Sequence, residues 1–155
     1  MGRRLIRIAI VLIVVLVAAQ LIRPDQTNPP TDPARTIQAQ MTKAPQLAAV
    51  LDRACNDCHS NDVVWPRFAQ FAPLSWLMAY AVIEGRKAVN YSEWASYRPE
   101  LQRALLSASC RDASTGKMPG AYTLVRPETR LSPSDVETIC AAARQLEAYR
   151  AGASQ

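Results

Sequence analysis

The sequence predicts an all-α domain behind an N-terminal membrane-spanning helix. Beyond residue 44, apolar residues recur at three- and four-residue intervals, and strand-like alternation is nearly absent. Glycine is scarce and alanine abundant, which favours helix over turn-rich architectures. An unbroken apolar run, Ile8 to Ala19, opens the chain. At 155 residues this is one small domain with appendages.

The opening segment, residues 1–23, begins with Arg3, Arg4 and Arg7 and is effectively apolar from Leu5 to Ile22. Eighteen helical residues span about 27 Å, near the thickness of a bilayer core. Arginines ahead of the run predict a cytoplasmic N-terminus and an exported domain. Val17-Ala18-Ala19 would pass as a signal cleavage site, but Leu21 and Ile22 carry the apolar run past it, so a retained anchor is expected. The formal charge of +5 is concentrated here. Beyond residue 23 there are 14 basic and 13 acidic residues and no basic run, which argues against a nucleic-acid partner. Residues 24–36, with four prolines, read as a stiff extended tether, and residues 37–155 as the domain.

Pro45 suits the first turn of a helix, and Leu47, Val50, Leu51 and Ala54 follow at helical spacing. That helix delivers "CNDCH", Cys55, Cys58 and His59, the only histidine in the chain. Structural zinc needs four ligands, and Cys110 and Cys140 are isolated and 30 apart. A thioredoxin-like redox pair needs a βαβ setting that the pattern lacks. The spacing suits covalent c-type haem: two thiols three apart form thioethers to the vinyl groups, and the adjacent imidazole reaches the iron. Cys55 and Cys58 are the expected attachment points and His59 the proximal iron ligand. Attachment outside the cytoplasm agrees with an exported domain. A single such motif predicts one haem c per chain.

Four stretches, "RPDQTNPP", "CNDCHSNDVVWPRFAQFAPLSWLMAYAVIEGRKAVNYSEW", "KMPGAYTLV" and "LSPSDVETI", together resemble the small, membrane-anchored bacterial haem-binding domain family. The resemblance implies a cytochrome c-like helical fold around one covalent haem on Cys55 and Cys58, with His59 as axial ligand, anchored in a bacterial inner membrane with the haem domain facing the periplasm. The chain departs from the family pattern at Tyr80, where relatives often carry histidine, and in having Cys110 and Cys140.

"WPRFAQFAP" is too aromatic for a solvent loop. Trp65, Phe68 and Phe71, with Trp76 from the following helix, are expected to pack on the porphyrin. That helix should run from Pro73 to Ala88, with Trp76, Tyr80 and Ile83 on one face, Met78 in the core, and Arg86 and Lys87 complementing its C-terminus. Asn90 or Ser92 can cap the next helix, with Trp94, Tyr97, Leu101 and Ala108 on one face and Pro99 a point of division. Ser132, Pro133 and Asp135 mark the start of the last, whose stripe is Val136, Ile139, Cys140, Ala143 and Leu146.

With no second histidine, the sixth iron position falls to a methionine, to Lys117, or to no side chain. Met1 is assigned across the membrane, Met41 precedes the motif, and Met78 is core. Met118, in a loop loosened by Gly116 and Gly120 and extended by Pro119, is the expected distal ligand. Cys110 and Cys140 flank that loop, and in an oxidising compartment a bridge is expected over two free thiols. The functional expectation is a one-electron carrier between redox partner proteins, not an enzyme, with no small-molecule substrate. The alternative is a gas or redox sensor with a displaceable distal ligand.

Overall fold

The computed structural model describes residues 2–42 and 44–151, with side chains described to residue 148. Met1 and residues 152–155 of the expected domain lie outside the described residues. All regular structure described is helical: α1 (Gly2–Ala19), α2 (Ile37–Gln40), α3 (Pro45–Ala54), α4 (Asn56–His59), α5 (Leu74–Ala88), α6 (Pro99–Ser114) and α7 (Pro133–Ala151), with short 3-10 turns between them.

The core follows the predicted stripes in α3 and α7. Leu47, Val50, Leu51 and Ala54 of α3 are buried, as are Ile139, Cys140 and Ala143 of α7. They meet Val89, Tyr91, Trp94 and Leu106 in one apolar cluster. The start of α7 is a reciprocal cap: Ser132 N–H donates to Asp135 Oδ2 at 2.8 Å, and Asp135 N–H donates to Ser132 Oγ at 3.2 Å. Arg53 reaches across from α3 to Asp135 Oδ2 at 2.8 Å and to the carbonyls of Glu128 and Arg130. α6 and α7 run antiparallel and are joined by a Cys110–Cys140 disulfide, Cα–Cα 4.8 Å.

Between α5 and α6 the chain divides where proline requires it. Asn90 Oδ1 accepts from Ser92 N–H and starts a 3-10 segment, Tyr91–Ser96; α6 then begins with Pro99 in its first turn. The two segments therefore do not share a continuous face: Trp94 is buried, whereas Leu101 is exposed. On α5, Trp76, Tyr80 and Ile83 share one face and Met78 is core, as expected, but that shared face is not the one that turns inward toward the cavity. Ser75, Met78, Ala79, Val82 and Gly85 point inward, and Trp76, Tyr80 and Ile83 lie on the outer side. Gly85 explains the choice. A Cβ built there would sit 2.4 Å from the Cys58 carbonyl oxygen, so only glycine lets α5 lie against the Cys58 backbone.

Two expectations about the N-terminal region are corrected. α1 ends at Ala19 instead of continuing to Ile22, and Gln20 Nε2 folds back to Leu16 O. Three arginines occupy its first six residues, and the arginine-free portion, Ile8 to Ala19, spans only about 18 Å. Among the described residues no helix is long and apolar enough to cross a membrane. The side chains of α1 are nevertheless exposed from Leu5 to Ala18. Nor do residues 24–36 stand free as a tether. Prolines remove backbone donors, and polar side chains strap the segment to the domain: Asn28 Nδ2 donates to Val63 O (3.0 Å), Thr31 Oγ1 to Asp62 (2.9 Å), and Asn61 Nδ2 to Pro30 O (3.2 Å).

Two outcomes follow for stability. Replacing Cys110 and Cys140 by serine opens a 30-residue loop and should cost roughly 3–4 kcal/mol in denaturant unfolding; an unchanged midpoint would contradict the bridge. Gly85→Ala gains about 1 kcal/mol of helix propensity but forces α5 off Cys58, for a net loss of about 1–3 kcal/mol in the same assay.

Candidate functional site

Cys55 closes α3 in a non-helical conformation (φ −126°, ψ −38°), and α4 restarts at once. Its carbonyl accepts from Cys58 N–H (3.1 Å) and His59 N–H (3.0 Å), so thiols and imidazole project from one compact turn. Polar bonds fix that turn on its far side. Ser60 Oγ donates to Asn56 O at 2.8 Å, Asn61 N–H donates to Ser92 Oγ at 3.0 Å, and Asn90 Nδ2 donates to Asn61 Oδ1 at 2.7 Å.

Cys55, Cys58, His59 and Met118 line one cavity of about 210 Å³. Its remaining wall is mainly apolar, with Leu51, Ala54, Leu105, Ala113, Leu131 and Ile139 from α3, α6, α7 and the segment before α7. Four residues predicted from sequence, more than 60 positions apart at the extremes, therefore meet at one place. Both motif cysteines are unbridged. Burial is the main cause that pushes Cys58 up to about 11, with Asp57 adding to it, and pushes Cys55 up to about 12; both are thiols at neutral pH. Burial lowers the His59 pKa, against smaller opposing effects of backbone bonds to Val89 and Gly85 and of Asp112. His59 Nδ1 lies 3.2 Å from Val89 O. With the proton on Nδ1 donated there, the neutral ring keeps its Nε2 lone pair for a metal.

The Met118 loop is built from α6 outward. Thr115 ends the helix, and Gly116 (φ +70°) and Gly120 (φ +56°) take left-handed conformations that other residues resist. Met118 N–H donates to Asp112 O at 3.1 Å. Lys117, the other candidate donor on this loop, holds its Nζ 3.4 Å from Asp112 and is exposed. A second tie runs to the cysteine motif itself: Tyr122 O–H donates to Asp57 Oδ2 at 2.8 Å, and Arg126 Nη1 lies 3.7 Å from the same oxygen.

The predicted aromatic residues lie elsewhere. Trp65 and Phe68 pack with Val63, Ala69, Met78 and Val82 in a second cluster that touches the cavity-lining Cys58 and Tyr122. They back the wall and do not line it, because Ala69, fully buried in that cluster, draws their turn under α5. Trp65 Nε1 is buried there without a hydrogen-bond partner among the described residues. Phe71 is exposed and Trp76 is on the outer side of α5, its indole N–H donating to Ile22 O at 2.8 Å, so neither meets the cavity. Arg86 is likewise committed, to Ser60 O (2.7 Å) and Asn28 Oδ1 (3.1 Å).

Three contributors were not singled out from sequence. Gly85 had a signal, since a glycine inside a helical pattern marks close backbone approach. Asp57 and Tyr122 had none, because their pairing spans 65 residues.

The donor set fits a haem. Two half-buried free thiols flank one turn, an imidazole whose Nδ1 faces Val89 O follows, a thioether lines the same cavity, and the walls are mainly apolar. No curated protein and no solved structure gives a significant match to the chain. A family model described as "Haem-binding domain" matches residues 14–145. The match covers most of the chain, from within α1 into α7, and includes every residue of the cavity; the chain belongs to the haem-binding domain family.

Proposed function

We propose that this protein is a c-type cytochrome carrying one covalent haem and serving as a one-electron carrier, held at the outer face of a bacterial inner membrane by α1. The convergence of Cys55, Cys58, His59 and Met118 on a single apolar cavity carries the reading. A haem bound there supplies iron that gains and loses one electron.

The chain's own residues would each do a definable part. Cys55 and Cys58 would bond the haem edge through thioethers; as half-buried, protonated thiols they are poor nucleophiles, which suits attachment by dedicated maturation. His59, oriented by Val89 O, would ligate through Nε2. Met118 would supply a thioether to the iron and raise the potential, as thioethers do. The apolar wall would exclude water. The chain offers no second histidine as a distal acid or base, in keeping with a carrier rather than an enzyme. For α1, the exposed apolar side chains behind three arginines support contact with lipid. Redox partner proteins would supply and accept the electron.

One observation favours a second reading, a gas or redox sensor. Met118 is 44 % exposed on a loop with two left-handed glycines, an arrangement that could let an external ligand displace it.

The ferrous absorption spectrum of the matured full chain, with and without carbon monoxide, separates these readings. A carrier with Met118 bound should ignore carbon monoxide, and Met118→Ala should respond to it. A strong shift in the unaltered protein would favour the sensor, and identical spectra with and without Met118 would remove it as a ligand. Tyr122→Phe deletes the hydrogen bond to Asp57 and should cost about 1 kcal/mol of stability. If that bond holds the loop in place, the variant should also bind carbon monoxide more readily than the parent; an unchanged response would show that the loop is held without Tyr122.

A further inference from the structure

The outer side of α5 is an apolar surface that the proposed electron carriage does not use. Phe71, Leu74, Trp76, Leu77, Tyr80 and Ile83 are all exposed, Leu77 by 62 % and Tyr80 by 66 %. No charged side chain occurs between Phe71 and Ile83. The Glu84–Lys87 ion pair borders this surface at one end, and exposed Arg67 stands beyond the other. The core needs none of these side chains, since Met78, Ala79 and Val82 already pack the inner face.

What covers this surface is indicated by its junction with α1. Gln20, directly after α1, donates through Nε2 to Ala72 O (3.2 Å), and its Oε1 accepts from Ala72 N–H (3.0 Å). Two residues on, Ile22 O accepts from Trp76 Nε1 at 2.8 Å. The apolar, exposed side chains of α1 are thereby pinned at the helix's C-terminal end to the first turn of the α5 surface, with Arg23 and Arg67 also exposed. Whatever shields α1 from water meets α5 at that junction.

We infer that the outer face of α5 is a second lipid-contacting surface, seated in the headgroup region of the membrane that α1 contacts. Trp76 and Tyr80 have the amphipathic side chains favoured at that depth. Arg23 and Arg67 suit anionic headgroups. The inner side of α5 faces Cys58 through Gly85, so one helix diameter, about 10 Å, separates the lipid surface from the cysteine motif. A chain docked this way turns the Met118 loop and cavity away from the bilayer, toward a water-soluble partner. The inference shares with the proposed function only the contact of α1 with lipid.

Nitroxide labels on single introduced cysteines test it, in the matured full chain embedded in nanodiscs of phosphatidylethanolamine and phosphatidylglycerol. The sites are Leu77→Cys and Tyr80→Cys on α5, Val14→Cys on α1, and exposed Glu137→Cys on α7 as the aqueous reference. Power saturation should give residues 77, 80 and 14 a several-fold higher ratio of oxygen to nickel-chelate collisions than residue 137. Residue 14 in lipid with 77 and 80 matching 137 would overturn the α5 surface and leave the α1 anchor standing. All four matching would overturn both. Dipolar broadening between labels at residue 77 would assign the face to a second copy of the chain and overturn its docking on lipid.

Discussion

The arrangement depends on one close approach, the backbone of α5 against the Cys58 carbonyl, which only a residue without a side chain at position 85 permits. From it follow the position of Val89, whose carbonyl orients His59, and of Asn90, which locks the loop after the motif through Asn61. Met78 and Val82, buried on the same side of α5, reach Trp65, Phe68 and Cys58. A helix held a few tenths of an ångström farther out would loosen the imidazole, the polar network and the second core cluster together, because all three hang from α5.

Three further ties gather distant sequence around the cavity. Arg53 holds α3 to the segment entering α7, the disulfide holds α6 to α7, and Tyr122 holds the methionine loop to Asp57 inside the cysteine motif. Each crosses from one wall of the cavity to another. The cavity is therefore braced while its lining stays apolar, and the charged members of these ties, Arg53, Asp57 and Arg126, keep some contact with water. That placement avoids the cost of leaving a charge fully buried beside a low-polarity cofactor site.

The sequence made the helices legible where one local rule dominated. Pro45 and Ser132-Pro133-Asp135 mark helix starts by chemistry that acts within four residues, and both appear as expected. The cysteine motif was legible for the same reason. Elimination, through the residue types the chain lacks, singled out Met118, which lines the same cavity as the motif. The aromatic assignments were not, because Trp76 satisfies any apolar environment and periodicity does not say which side of a helix faces the core; that side was decided by Gly85 and by the path of residues 20–26 across α5. The N-terminal helix was read too long, since apolarity continues through Ile22 while the backbone turns at Gln20 to bond Leu16 and Ala72. The strapped linker escaped notice because its partners lie more than 30 residues away.

The central claim, that the cavity is built to hold haem through bonds from its own cysteines, is tested most directly by extraction. The full chain is produced with cytochrome c maturation, denatured and washed with acidified acetone, which removes haem that is merely ligated. Haem should stay with the polypeptide and map to the peptide containing Cys55 and Cys58, and it should be lost when both are replaced by serine. Complete extraction from the unaltered chain would contradict covalent attachment, whatever the spectrum of the intact protein.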